Sequence, residues 1–405
     1  MNTLNGPDND LTRRLARKAD QFARHGGSEL EIGQVLTRAG EIRRGRRMRA
    51  TMVMAACLLA IAVPTALVAI DNDPAKDIQP APPVPTKIDR SPITLEGLKQ
   101  GDEPSSGYLE GSRWHDGSGA PAIDLSGEAI DEVARIAGGF LVATNDPDTG
   151  DRLTWFVDER GDTTGTTWPM VPGFVVSAGG QVGAFVQPDG TPVVVQDGTA
   201  YELPRIPRSG LQPVAVVGED CTPRAENTGC AVWVKGEGDK PDTWVSSTDG
   251  AVGPARPDFW SIADVVDGEL IAGITDVKDD GISTCSAVTR FDDDTPLWNV
   301  CGHHPVAFSP DASRLLSEAD GDGFASTGLA VYDAETGDPL LELSTEREAG
   351  FPQSMIWEDD THVLATVFEK GRWAILRIGL DGSREYAVPP VEGEDLESPF
   401  RLPSR

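Results

Sequence analysis

Val306–Leu343 reads VAFSPDASRLLSEADGDGFASTGLAVYDAETGDPLLEL, four short apolar strands separated by polar turns. Val306–Phe308 runs into Ser309-Pro310-Asp311. Arg314–Glu318 follows, then a loop of Asp and Gly. Leu329–Tyr332 ends at Asp333 and reverses before Gly337, and Pro339–Leu343 closes the unit. Ser-Pro-Asp and Asp-x-x-x-Gly supply tight reversals, because Pro presets φ, Asp bonds its own backbone and Gly accepts positive φ. The strands carry Val, Leu and Tyr, which suit a pleated surface packed on both sides.

The order recurs along the chain. Second strands read FLVATN (Phe140–Asn145), VGAFV (Val182–Val186), CAVWV (Cys230–Val234), LIAGI (Leu270–Ile274), RLLSE and HVLATVF (His362–Phe368). Third strands and their turns include TWFVDERG from Thr154, PVVVQDG from Pro192, TWVSSTDG from Thr243 and AILRIGLDG from Ala374. Units start near residues 130, 172, 212, 259, 303 and 352. Spacings of about 40–50 residues, four strands each, are those of propeller blades. One blade cannot bury both its faces, so the set must close into a ring.

The spacing predicts an all-β fold, a six-bladed β-propeller. Residues 107–127 read as a hairpin that completes the last blade. The count becomes seven if 107–127 and the tail 390–405 make a blade of their own. Phe308-Ser309-Pro310-Asp311, Leu315-Leu316 and Val331-Tyr332-Asp333 with Gly337 resemble the repeat of WD-repeat-like bacterial propellers. The Trp-Asp dipeptide of the eukaryotic repeat is absent. The whole layout resembles actinobacterial single-pass membrane proteins with an Arg-rich cytoplasmic arm and an extracytoplasmic propeller. That resemblance implies architecture and location; the fold itself hosts many functions.

Upstream, Thr51–Ile70 holds twenty residues without a charge. As a helix it would cover about 30 Å, the thickness of a bilayer core. Arg43, Arg44, Arg46, Arg47 and Arg49 precede it, and Asp71 and Asp73 follow it. Residues 1–50 carry 11 Lys/Arg against 6 Asp/Glu; residues 71–405 carry 24 against 59. This asymmetry orients the N-terminus to the cytoplasm and the C-terminal body outside. A cleaved signal peptide would need a fifty-residue leader, and acylation at Cys57 would leave the apolar run on the wrong side of the anchor. The expected organisation is a basic helical cytoplasmic arm (1–50), a transmembrane helix (51–70), a Pro-rich linker (71–106) and a propeller (107–405).

A body with net charge near −35 repels phosphate, which excludes nucleic acid as the propeller's ligand. Beyond the span lie Cys221, Cys230, Cys285 and Cys301, an even number on the oxidising side. Sequence order suggests Cys221–Cys230 and Cys285–Cys301, one of three pairings.

Other candidate sites are sparse. Cys301-x-His303-His304 has half the donors of a zinc site and no second cluster. Glu318-x-Asp320-x-Asp322-Gly323 alternates oxygens like a calcium loop, but Leu329 stands where an EF-hand needs Glu; Asn145-Asp146-x-Asp148 is similar and shorter. Arg160-Gly161-Asp162 matches an adhesion tripeptide and equally an ordinary turn. The tryptophans fall in or beside strands and read as blade core. No Gly-x-Ser-x-Gly occurs. No cofactor and no catalytic residue is assigned, and calcium is the one ion the turns suggest. The sequence thus points to a membrane-tethered module that binds a protein, peptide or cell-envelope ligand. Its rival is a signalling protein whose arm regulates a partner such as a sigma factor. A propeller hydrolase is the third reading.

Overall fold

The structure, a computed structural model, describes residues 92–404 except 118–121, 124, 126–127, 147–148, 223–228, 237–241, 257, 267, 279–282, 321–325, 346–349 and 396. Among the described residues every regular element is a strand, and the strands form seven sheets. Blades 2 to 7 correspond to the six sequence units. Their innermost strands are Ile130–Ile136, Val175–Val176, Leu211–Val217, Ser261–Val266, His303–Phe308 and Gly350–Trp357. Each blade runs outward as an antiparallel meander, from innermost to outermost strand.

The ring has seven blades: the six-blade count is corrected, and the alternative in which 107–127 and the tail 390–405 make a blade of their own is the one found. Tyr108–Glu110 and Arg113–His115 do not complete the last blade; they form blade 1, whose innermost strand is Phe400–Arg401. The ring closes through this C-terminal strand, with Leu109 opposite Arg401 and Glu110 opposite Phe400. A two-residue strand at the far end of the chain leaves no periodic trace. The outer position of blade 1 is marked by a single bridge between Arg113 and Ala122.

The core lies between blades. Seven apolar clusters occur among the described residues, one at each seam. Ala134, Leu141 and Phe156 of blade 2 meet Phe174, Phe185 and Val193 of blade 3, for example. This explains why middle strands such as Val182–Val186 are buried at every position, whereas the outermost strand Thr163–Pro169 is almost wholly exposed. Gly183 marks a close approach of blades 2 and 3. A Cβ there would lie 2.6 Å from Leu141 Cδ1 and 2.9 Å from Ile136 Cγ2.

The segment 92–106, expected as the end of a linker, packs on the ring. Ile93 and Leu95 are buried, and Lys99–Gln100 pairs in parallel with the outer strand Arg384–Glu392 of blade 7. Its two apolar side chains fill a gap beside Leu341, Trp357 and Val363, so its prolines flank the packed part without loosening it. The arm 1–50, the span 51–70 with Arg43, Arg44, Arg46, Arg47 and Arg49, and the linker to residue 91 lie outside the described residues. Among the described residues no helix is long and apolar enough to cross a membrane.

Candidate functional site

Each innermost strand starts, and each second strand ends, on the face where the chain crosses from one blade to the next. On this crossover face, blade 6 brings two separately noticed motifs together. His304 pairs directly across the sheet with Glu318. Its Nε2 is 3.0 Å from Glu318 Oε2, and its Nδ1 is 3.4 Å from Asp320 Oδ1. The hydrogen bond with Glu318 raises the His304 pKa above the ordinary imidazole value; burial opposes this, and Asp320 adds to it. Asp320 also crosses the seam: its carboxylate accepts the Thr284 N–H at 2.7 Å and the Thr284 hydroxyl at 2.9 Å, both from blade 5.

His303 has the opposite environment. Burial lowers its pKa, and its Nδ1 lies 3.1 Å from the Tyr332 hydroxyl, itself pushed up to about 12 by burial and by Glu342. Two adjacent histidines are thereby driven apart, one toward the neutral form and one toward the cation.

The donors do not make a chelate. Glu318 and Asp320 approach opposite nitrogens of one ring, so they do not converge on an ion beside His304. Cys301 is bonded to Cys285 and offers no thiolate. Among the described residues no group of three or more His, Cys, Asp or Glu is placed to hold a metal ion. Asp322, Gly323 and Asp148 lie outside the described residues. Asn145 instead bonds Asp131 with its side-chain amide.

Both disulfides form as sequence order suggested. Cys285–Cys301 ties the third strand of blade 5 to its outermost strand, beside the His304 cluster; Cys221–Cys230 closes the turn between the first two strands of blade 4, on the opposite face. Arg160-Gly161-Asp162 forms an exposed turn in which Arg160 pairs with Asp158 at 2.8 Å. His115 stacks on Tyr108, and His362 bonds Asp359. Trp114, Trp357 and Trp373 are fully buried, as blade core requires.

The channel wall carries a feature missed in the sequence. Five innermost strands contain a bulge near their start, which leaves Asp131, Val214, Ala263, Val306 and Gln353 without a direct cross-strand partner. Three are preceded by Pro213, Pro305 and Pro352, which have no N–H to offer the ladder. The recurrent Pro, two or three residues into each of these strands, was the available signal. Beside one bulge, Asp264 accepts the N–H of Phe308 in the next blade at 2.8 Å and that of Val265 at 2.7 Å. Burial without a cationic partner pushes the Asp264 pKa up to about 6. At the blade 2 bulge, Arg152 lies 3.3 Å from Asp131 and 3.1 Å from Glu132, whose pKa is raised by burial against the pull of Arg152.

These features define the class: a seven-bladed β-propeller closed by its C-terminal strand. No family model matches the chain, and no curated protein does. Solved structures show similarity in fold. A prolyl endopeptidase structure matches at 14% identity over 75% of this chain and 49% of its own, with a TM-score of 0.47, so the chain spans about half of that enzyme's length. The β-propeller domain of the Trilobed protease from Pyrococcus furiosus matches at 11% identity over 65% of this chain and 85% of its own, with a TM-score of 0.42. YCF48 bound to a D1 peptide matches at 11% identity over 72% and 86%, with a TM-score of 0.41.

Proposed function

We propose that this chain is an extracytoplasmic binding module, tethered by residues 51–70 with the arm 1–50 inside, and that its crossover face holds a basic segment of a protein or peptide. The observation that carries this reading is the excess of carboxylates on that face, Glu318 and Asp320 sharing His304 on blade 6 and Asp131 and Glu132 sharing Arg152 on blade 2, in a body of large negative charge. Complementary charge steers and orients such a partner. The bulge positions around the channel support binding over catalysis: an aspartate, two valines, an alanine and a glutamine share no chemistry that a reaction would use. The two disulfides fit an oxidising location.

The test measures binding of a lysine-rich peptide to the whole protein across a salt series. Glu318→Gln with Asp320→Asn should weaken binding and flatten its salt dependence, while Asp249→Asn with Asp381→Asn on the opposite face should not. Equal loss in both pairs reduces the reading to non-specific charge. A C-terminal reporter active only in the cytoplasm, when fused to the full chain, would overturn the topology.

A second reading makes the protein a signalling device whose arm regulates a cytoplasmic partner such as a sigma factor. It is favoured by the contact of residues 92–106 with the ring, which gives the N-terminal segment a firm attachment there. Cross-linking in whole cells, with and without residues 2–40, tests it.

A further inference from the structure

Ring closure rests on little in blade 1. Two residue pairs join Phe400–Arg401 to Leu109 and Glu110, helped by one bond from Gly111 N–H to Pro399 O and one from Ser404 N–H to Val133 O. The innermost and second strands of blade 7 pair at seven positions. An open ring would expose the Tyr108, Trp373 and Phe400 cluster at this seam. The C-terminal strand and this cluster close the seam, and any further tie between blades 7 and 1 adds to them.

The segment before blade 1 is placed to supply such a tie. Pro92 bridges Ser344 on the outer strand of blade 6. Leu95, 1% exposed, enters the core between blades 6 and 7. Lys99 and Gln100 then pair with Glu385 and Tyr386 of blade 7, and residues 101–107 lead directly into Tyr108 of blade 1. The segment thus packs on blades 6 and 7 and continues covalently across the closing seam into blade 1.

Two nearly buried carboxylates of blade 7 grip its ends. Glu369, 5% exposed, accepts the Leu95 N–H at 2.6 Å and the Thr94 hydroxyl at 3.2 Å. Glu358, 8% exposed, accepts the Ser105 N–H at 2.7 Å and its hydroxyl at 3.1 Å. Arg377 pairs with Glu358 at 2.5 Å and donates to the carbonyls of Asp102 and Glu103 at 3.1 and 3.2 Å. Buried carboxylates and a half-buried guanidinium cost free energy unless their remaining bonds are made. Here the segment makes them, so its release leaves charged groups of blade 7 with partners missing.

We propose that residues 92–106 form a latch across the closing seam, and that its release opens the ring between blades 7 and 1 while blades 3 to 5 stay closed. A pull on the chain upstream of Pro92 meets the contacts with blades 6 and 7 first and reaches the closing seam only once they release. The proposal does not depend on what the crossover face binds.

Hydrogen exchange on the full chain tests it. Leu95→Asp should speed exchange at residues 108–115 and 400–404 by about tenfold or more, on the order of one lost buried hydrogen bond, and leave 182–196 unchanged. Glu369→Gln, which weakens the hold on Thr94 and Leu95 without placing a charge in the core, gives the same readout should Leu95→Asp fail to fold. Release of the latch with no change at 108–115 and 400–404 overturns the proposal. So does an equal rise in every blade, which marks global loss of stability.

Discussion

His304 stands between two carboxylates of its own blade, with Nε2 3.0 Å from Glu318 and Nδ1 3.4 Å from Asp320. The neutral ring carries one N–H and can donate to only one of them, whereas the cation donates to both. The folded pKa is therefore raised above the unfolded value. The stability it contributes is fully present below the unfolded pKa and is lost as pH rises through the folded one. Partial exposure keeps the amount below about 1 kcal/mol. Comparison of His304→Gln with wild type by thermal melts at pH 6 and pH 9 should show the wild-type advantage only at pH 6. An NMR titration that places His304 at or below the free imidazole value would refute this.

Asp264 gives a prediction of the same sign from the opposite kind of group. Burial raises its folded pKa to about 6, from the 3.8 of an ordinary aspartate. Stability is highest while the carboxyl is protonated in both states, and it declines as pH rises toward and through about 6, by at most about 3 kcal/mol. Asp264→Asn removes that slope. Urea midpoints at pH 4.5 and 7.5 should converge in the variant and diverge in wild type. Parallel pH dependence in the two proteins would show that Asp264 is not the titrating group.

Arg377 is held by Glu358 and Glu385, at 2.5 and 2.6 Å. Burial alone would raise the Glu358 pKa, but the bonds from Arg377 and Ser105 outweigh it and hold the carboxyl below its usual range. Arg377→Met leaves Glu358 buried without its cation, which should cost about 3–5 kcal/mol. The double variant with Glu358→Leu should recover much of that loss. Additive losses in a double-mutant cycle would show the pair to be uncoupled.

The Cys285–Cys301 bond spans 16 residues of sequence and joins residues directly opposite in the sheet. Its removal by paired Ala substitution should lower stability by about 2–4 kcal/mol, chiefly by freeing the unfolded chain. The Cys221–Cys230 bond, separated by nine residues, should give less. Unchanged unfolding midpoints after reduction would contradict both.

Gly183→Val should destabilise the protein by about 1–3 kcal/mol through the seam of blades 2 and 3. Leu141→Ala opens space at that contact, so adding it should return part of the loss. Failure of this rescue in chemical unfolding would place the strain elsewhere.

The strands were legible because each blade repeats one pattern, a buried apolar run ended by Asp-Gly or Ser-Pro-Asp turns, and local sequence suffices for both. FLVATN, VGAFV and RLLSE all lie in second strands of blades, and the two disulfides join cysteines near in sequence. His303-His304 and Glu318-x-Asp320 were each visible as motifs. Their meeting was not, because it depends on the register that sets His304 opposite Glu318.

By itself the sequence determined the repeat, its strand order and the charge difference across Thr51–Ile70, since these are properties of composition and short-range spacing. Only the tertiary structure decided the seventh blade, the latch over 92–106 and the raised pKa of Asp264. Each rests on contacts between residues distant in the chain: Phe400 on Glu110, Leu95 on Glu369, Asp264 on Phe308. Such contacts follow from how the ring closes, and a closing condition belongs to the whole chain and to no local stretch of it.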